Sequence, residues 1–158
     1  TEDAQWGYVP IGAYCNYNNN DTTAADYGRL YNAYAVNDIR NIAPEGWHVP
    51  TYRELQILID YLGTENAAGG KMKSAGTTHW LPPNFGATNE SGFAALPGGY
   101  RLKYDGSYHA LQSNGYWWTT TESYELFSWS DILHSELADI TQNPDYYGYG
   151  FSVRCVKD

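Results

Sequence analysis

Residues that could carry out catalysis are few in this 158-residue sequence, and their spacing matches none of the common catalytic motifs. The four histidines are His48, His79, His109 and His134, and none belongs to a His-Glu-x-x-His metal motif. There is no Gly-x-Ser-x-Gly elbow, and Gly98-Gly99 is not a phosphate-binding loop. We interpret His48, beside Trp47, as a hydrogen-bonded structural residue. The sequence therefore predicts no catalytic residue and a protein that is not an enzyme.

Calcium binding is a second kind of chemistry that the sequence allows, because Ca²⁺ prefers carboxylate and amide oxygens. The weak candidates in the loops are Asn84, Asn89, Glu90 and Glu122, together with Asn18 and Asp21. Neither an EF-hand loop nor the lectin motifs Glu-Pro-Asn and Trp-Asn-Asp are present. We expect Asn89 and Glu90 to bond loop backbone instead. No cofactor is predicted, and calcium is kept as the alternative.

The only two cysteines, Cys15 and Cys155, stand 140 positions apart. We expect a disulfide between them, which would contribute on the order of 4–5 kcal/mol by loop closure. Such a bridge would place the protein in an oxidising compartment. The alternative is two unrelated buried thiols, which the apolar neighbours of Cys155 also allow.

Aromatic residues dominate the apolar composition, with 16 Tyr and 6 Trp against a single Met. Rings with polar tips suit surfaces that are half apolar and half wet, as recognition sites are. The net charge of −9 argues against nucleic acid and anionic membranes as partners. No apolar run is long enough to span a bilayer, and no basic-then-apolar leader is present.

Two helices are predicted in the first half of the chain. The spacing of Tyr27, Leu30, Tyr31, Tyr34 and Ala35 is helical and indicates a first helix with an aromatic buried face. The second helix begins at a capping box, Thr51-Tyr52-Arg53-Glu54, and ends at Gly63. No helical pattern follows Gly63.

Short strands are predicted in the second half, at Phe93–Leu96, Tyr116–Thr120 and Phe151–Val156. Because neighbouring strand residues face opposite ways, we expect one of Trp117 and Trp118 to be core and the other a candidate contact. A further alternating segment would place Trp129, Asp131 and Leu133 on one face, and Ser130, Ile132 and His134 on the other. Helices followed by short strands indicate an α+β fold.

Several sequence blocks resemble those of one family. They are Tyr27–Asn32, Ala43–Thr51, Gly86–Phe93, Ala95–Arg101, Gly115–Glu122 and Gly150–Asp158. In this order they are similar to the signature blocks of the Fibrobacter succinogenes major paralogous domain, from about residue 15 to residue 158. We therefore expect a single domain over residues 1–158. The Gly-Trp-His-Val-Pro-Thr block and the Gly-Phe-…-Arg-Cys-Val ending also resemble, more distantly, the formylglycine-generating enzyme fold.

The resemblance implies a C-type-lectin-like fold, with two helices packed on a small twisted antiparallel sheet, long loops and adjacent chain ends. It also implies a bacterial secreted, periplasmic or cell-surface protein, commonly a lipoprotein of Bacteroidetes-like organisms, whose lipid anchor would lie outside this segment. The family has no established general activity, and a fold does not supply one.

The chain departs from the family pattern between Tyr124 and Tyr149. Some lectin-fold proteins that resemble this family are varied by diversity-generating retroelements. On that pattern Trp129 and Leu133 would be scaffold, and other residues of the segment would be displayed. With the flanking aromatics, the candidate ligand-binding residues are Tyr124, Phe127, Ser130, Ile132, His134, Thr141, Asn143, Asp145, Tyr146 and Tyr147.

The sequence thus predicts non-enzymatic recognition through an aromatic-rich face in the C-terminal third. The partner would be a protein or glycan at a cell or host surface. Two alternatives stay open: an enzyme related to formylglycine-generating oxidases, and a structural module of a pilus or envelope assembly.

Overall fold

The structure, a computed structural model, describes Trp6 and residues 10–158. These residues form a mixed α+β fold whose helices are short and whose antiparallel sheets are small. The helices are α1 (Asp21–Tyr27), α2 (Ala33–Val36), α3 (Tyr52–Leu62) and α4 (Glu65–Met72). None of the helices described is long and apolar enough to cross a membrane.

The strands form one three-stranded sheet and three two-stranded pairs among the described residues. The large sheet has the order β6 (Asn114–Tyr124), β7 (Phe127–His134) and β8 (Thr141–Tyr146). The pairs are β1 (Tyr14–Cys15) with β2 (Leu30–Tyr31), β3 (Trp47–His48) with β9 (Val156–Lys157), and β4 (Tyr100–Arg101) with β5 (Tyr108–His109).

Helix α3 confirms the prediction from the capping box. The Glu54 amide donates to the Thr51 hydroxyl (3.2 Å), and the Thr51 amide donates to the Glu54 carboxylate (2.8 Å). Leu55, Ile59 and Leu62 form the buried face. Gly63 ends the helix with φ of 120°, a backbone conformation that favours glycine.

The predicted first helix is wrong, because the segment is divided into three elements. Helix α1 ends at Gly28, whose φ is +82°, and Leu30–Tyr31 then forms strand β2. The Asn32 side chain accepts from the Ala35 amide and starts a new helix, α2. Gly28, with its positive φ, ends one helix, and Asn32 caps the next. These two residues interrupt the single helix that the spacing of the aromatic residues predicts.

Helix α4 was not predicted, because its buried face has no large apolar residue before Met72. The inward residues are Ala68, Gly69 and Gly70. A Cβ atom at Gly69 would collide with the backbone carbonyl of Asp139. The helix is therefore pressed against another chain segment, and periodicity of bulky residues could not reveal it.

Strand β6 of the large sheet is covered on both faces at Trp117 and Trp118, which corrects the prediction for these two residues. Both side chains are core residues, 5% and 0% exposed. Trp117 packs with Ile59, Met72 and Leu133 in one cluster, and Trp118 packs in another with α2 and Phe151. Adjacent residues do face opposite ways, but each side of the strand meets a hydrophobic core.

The C-terminal segment completes the second core, the cluster around Trp118, by pairing with β2 on one side and with β6 on the other. Phe151 exchanges backbone hydrogen bonds with Tyr31 (2.7 and 3.0 Å). The next residue, Ser152, accepts from the Trp118 amide (3.1 Å) and donates to the Tyr116 carbonyl (3.0 Å). The segment predicted as one strand, Phe151–Val156, thus consists of two isolated bridges followed by β9. In the other predicted strand, Phe93–Leu96, the only β-bridge among the described residues joins Ala95 to Lys73.

The predicted disulfide between Cys15 and Cys155 is wrong in this structure, where both thiols are free. Cys15 is buried in a cluster with Trp6, Tyr17 and Leu30, whereas Cys155 lies at the edge of the Trp118 cluster. The N-terminal and C-terminal parts of the chain meet without a disulfide between them. The Trp6 indole donates to the Gly148 carbonyl (2.8 Å), and β2 pairs with Phe151.

A buried lysine holds the long loops that follow α4. The Lys73 Nζ donates to the carbonyls of Phe85 (2.9 Å), His134 (2.8 Å) and Leu137 (2.7 Å), and the residue has no exposed surface. Burial lowers the pKa of Lys73 to about 8, and the charge of Asp139 opposes that shift. Three backbone carbonyls thus share one buried cationic donor.

Replacing Lys73 by Met is expected to destabilise the protein by on the order of 3 kcal/mol, because three carbonyls would lose their donor. The matched control is Lys71→Met, which removes the same charge two residues away. Lys71 makes only a 3.6 Å ion pair with the exposed Glu90, so its replacement should cost under about 1 kcal/mol. Urea unfolding of both variants measures the difference, and equal losses would refute the role given to Lys73.

Candidate ligand-binding face

A partly exposed row of aromatic rings ends the large sheet. Tyr124 of β6 pairs with Phe127 of β7, which in turn pairs with Tyr146 of β8. The Tyr124 and Phe127 rings stack with centroids 4.3 Å apart, and the Phe127 and Tyr146 rings meet edge to face at 5.4 Å. Leu126, with φ of +64°, makes the turn between the first two strands. We call Tyr124, Phe127 and Tyr146 the aromatic ladder.

Two residues that sequence reasoning missed extend the ladder. The Lys103 Nζ lies 3.2 Å from the centroid of the Tyr146 ring and 4.5 Å from that of Tyr104. Cation–π contacts of this kind attract a cation to the face of a ring. The Tyr104 side chain is 63% exposed. Neither residue had a signal in the sequence, because both come from a loop more than 40 positions before Tyr146.

Ser130 and Ile132 lie inside the fold and outside this face. Ser130 is fully buried and Ile132 is 7% exposed. The Ser130 hydroxyl donates to the Asp145 carboxylate (2.7 Å). Burial raises the pKa of Asp145, and the hydrogen bond from Ser130 opposes the shift. Ser130 and Ile132 lie on the same face of β7, and because that face is covered both side chains point into the fold.

The other predicted contact residues remain at least partly accessible. Asn143 is exposed, while His134, Thr141 and Tyr147 are half-buried. Thr141 and Asn143 belong to β8, an outer strand of the sheet. Tyr147 meets Tyr34 edge to face at 5.2 Å. The structure therefore brings together Tyr124, Phe127 and Tyr146, with Tyr147 adjacent in sequence, and leaves His134 at the far end of β7.

The calcium candidates are dispersed and mostly engaged. Asn84 is buried and donates to the Ser74 and Gly76 carbonyls. As expected, the Asn89 side chain accepts from loop backbone, at the Ala94 amide (2.8 Å). Glu90 pairs with Lys71. Glu122 is exposed, Asn18 lies in a 3-10 turn and Asp21 accepts from Asn16. Among the described residues no group of three His, Cys, Asp or Glu could hold a metal.

His48 makes the structural hydrogen bonds that its sequence position predicts. Its Nδ1 lies 2.6 Å from an Asp158 oxygen, and its Nε2 lies 2.8 Å from Glu54. These hydrogen bonds, the one with Asp158 first, raise the pKa of His48. The imidazole thus ties β3 to the start of α3 and to the residue after β9.

Burial raises the pKa of both cysteine thiols, Cys15 and Cys155. A raised pKa disfavours the reactive thiolate form.

A buried carboxylate lies in the sheet that carries the ladder. Asp131 is 2% exposed; its Oδ1 accepts from Gln142 (2.8 Å), and its Oδ2 has no partner among the described residues. Burial raises the pKa of Asp131 to about 7, and the Gln142 hydrogen bond opposes this. The folded protein therefore binds a proton at Asp131 that the unfolded chain releases near pH 4.

Asp131 makes the stability of the protein depend on pH. Because its pKa is higher in the folded state, its contribution is fully present below pH 4 and is lost as pH rises through about 7. Asp131→Asn should remove this component. Relative to Asp131→Asn, the wild type should lose on the order of 2–3 kcal/mol of unfolding free energy between pH 5 and pH 8. Parallel pH profiles in urea would contradict the assignment.

Comparison with known proteins identifies the family. The Fibrobacter succinogenes major domain matches residues 2–157, so the chain belongs to that family. The comparisons with curated proteins and with solved structures find no match. The resemblance of the six sequence blocks is confirmed.

Proposed function

We propose that this chain is a non-enzymatic recognition domain that binds a protein or glycan through the aromatic ladder. The observation that carries the proposal is the exposed stack of Tyr124 on Phe127, continued by Tyr146 and the Lys103 cation. Tyr124 is 54% exposed although its ring is fixed against a neighbour. A ring held in place before binding loses little rotamer freedom on contact.

The chemistry of the ladder suits ligands with both apolar and polar groups. Tyr and Phe faces pack on the C–H face of a sugar or on an aliphatic side chain, while the Tyr hydroxyls bond to polar atoms. Lys103 adds a positive charge at the ladder in a chain whose net charge is −9. Asn143 and Thr141 offer polar groups on the same outer strand as Tyr146. This composition resembles that of antibody contact surfaces.

We further infer a C-type-lectin-like arrangement and a bacterial secreted or cell-surface location. Support comes from α3 and α4 against a small antiparallel sheet, from long loops, and from the contact between Trp6 and Gly148. A protein or glycan at a cell or host surface is the partner, and a lipid anchor would lie outside this segment. If the surface is diversified, the variable positions are the accessible ones of the predicted set, His134, Thr141, Asn143, Asp145, Tyr146 and Tyr147.

Binding should depend on the ladder and not on exposed tyrosine in general. The probes are a printed glycan array and immobilised mucin, collagen and fibronectin. Tyr124→Ala combined with Tyr146→Ala should weaken any binding of the wild type by about tenfold or more, as loss of two central aromatic contacts does. Melting temperature should change little, since Tyr124 is exposed and Tyr146 is partly exposed on an outer strand.

The matched control is Tyr61→Ala, which removes an 85% exposed tyrosine from α3. It should bind as the wild type does. The proposal fails if the double variant binds equally well, if both variants lose binding alike, or if no probe is retained by the wild type.

A further inference from the structure

A concave site separate from the ladder lies where α1, β6 and the C-terminal segment meet. The cavity has a volume of about 350 Å³, within the range of small-ligand sites. Its walls include Tyr27, Tyr31 and Leu96. Trp117 and Ser152, which form a backbone bridge with each other, also line it.

Two mostly buried residues that line this cavity carry hydrogen-bond donors without protein acceptors among the described residues. Three other deeply buried indoles, those of Trp6, Trp80 and Trp118, each donate to a carbonyl at 2.8–2.9 Å. The Trp117 indole, in a residue 5% exposed, has no acceptor among the described residues. The Ser152 hydroxyl, in a residue 8% exposed, likewise has no partner there. Neither atom is among the fully buried polar atoms that lack a partner, so both donors are in contact with solvent and are available to a ligand.

Two arginines, Arg29 and Arg154, are among the residues that line the same cavity. Arg29 lies over the Tyr14 ring (4.7 Å), and no described carboxylate is within salt-bridge distance of it. Arg154 donates to the carbonyls of Phe93 (2.7 Å) and Ala94 (3.3 Å), which orient it without neutralising it. Asp26 is the one acidic side chain in the lining. The charged lining is therefore net positive within a chain of net charge −9.

We propose that this cavity binds a small organic carboxylate. Trp117 and Arg29 can only donate, and Ser152 has a free hydroxyl donor, so the complement is an anionic oxygen acceptor. Charge-assisted hydrogen bonds between guanidinium and carboxylate are strong and directional. The aromatic and aliphatic walls would contact the carbon skeleton, and Asp26 would accept from a hydroxyl or amide of the ligand.

The test follows the six indole N–H resonances by NMR during titration. The probes are glucuronate, N-acetylneuraminate and N-acetylglutamate, with glucose as the neutral control. Trp117→Phe assigns the resonance of Trp117, which should shift with a carboxylate at millimolar concentration and not with glucose. A response to the two sugar acids alone, or to N-acetylglutamate alone, supports the site and identifies the source of the carboxylate.

Variants separate this site from the rest of the surface. Arg29→Gln should weaken binding about tenfold, as loss of a charged hydrogen-bond partner does. Arg53→Gln removes an exposed arginine of α3 and should bind as the wild type does. Tyr124→Ala should also bind normally, so failure of the ladder leaves this result intact. The proposal is overturned if no carboxylate shifts Trp117, if glucose shifts it equally, or if the two arginine variants weaken binding alike.

Discussion

The burial of strand β6 of the three-stranded sheet on both of its faces, at Trp117 and Trp118, is the constraint on which the rest of the structure depends. Trp117 on one side and Trp118 on the other commit adjacent residues of β6 to two cores. Helices α3 and α4 supply one covering layer, and α2 with the C-terminal segment supplies the other. Because both faces are filled, only the ends, the outer strand and the seams between layers are left for a ligand. The aromatic ladder lies at an end, and the cavity beside Trp117 lies at a seam.

The loops that surround this sheet are organised by side chains in place of regular backbone pairing. Lys73 gathers three carbonyls from two segments, Asn84 holds two more, and the Trp80 indole donates to the Ala95 carbonyl. Each of these donors is buried, and each supplies a hydrogen bond to backbone carbonyls outside regular strands and helices or at their ends. Lys73 binds the carbonyl of His134, at the end of β7 opposite the ladder. The ladder and the cavity are separated by about 20 Å along β6.

Local signals in the sequence were enough to predict helix α3, the central part of strand β6 (Tyr116–Thr120) and the family. Thr51, Glu54 and Gly63 act on their own neighbours, so their effect does not depend on distant contacts. Long-range contacts decided what the sequence could not reveal. Gly28 and Asn32 divide an apparently helical stretch, and Trp117 and Trp118 are both covered because layers meet on both sides. Cys15 and Cys155 pack in separate clusters, and Lys103 reaches Tyr146 across a loop. The exposed ladder was predicted only in part, since Ser130 and Ile132 share its strands but face inward.

Hydrogen exchange of individual backbone amides, with and without a reductant, tests the two-sided burial most directly. The amides of Trp118, Phe151, Ser152 and Tyr31 bond across the second core. They should exchange together, among the slowest in the protein, and a reductant should leave their rates unchanged. Exchange at Phe151 and Ser152 as fast as at the Glu125–Leu126 turn would contradict the account, as would protection that disappears when thiols are reduced.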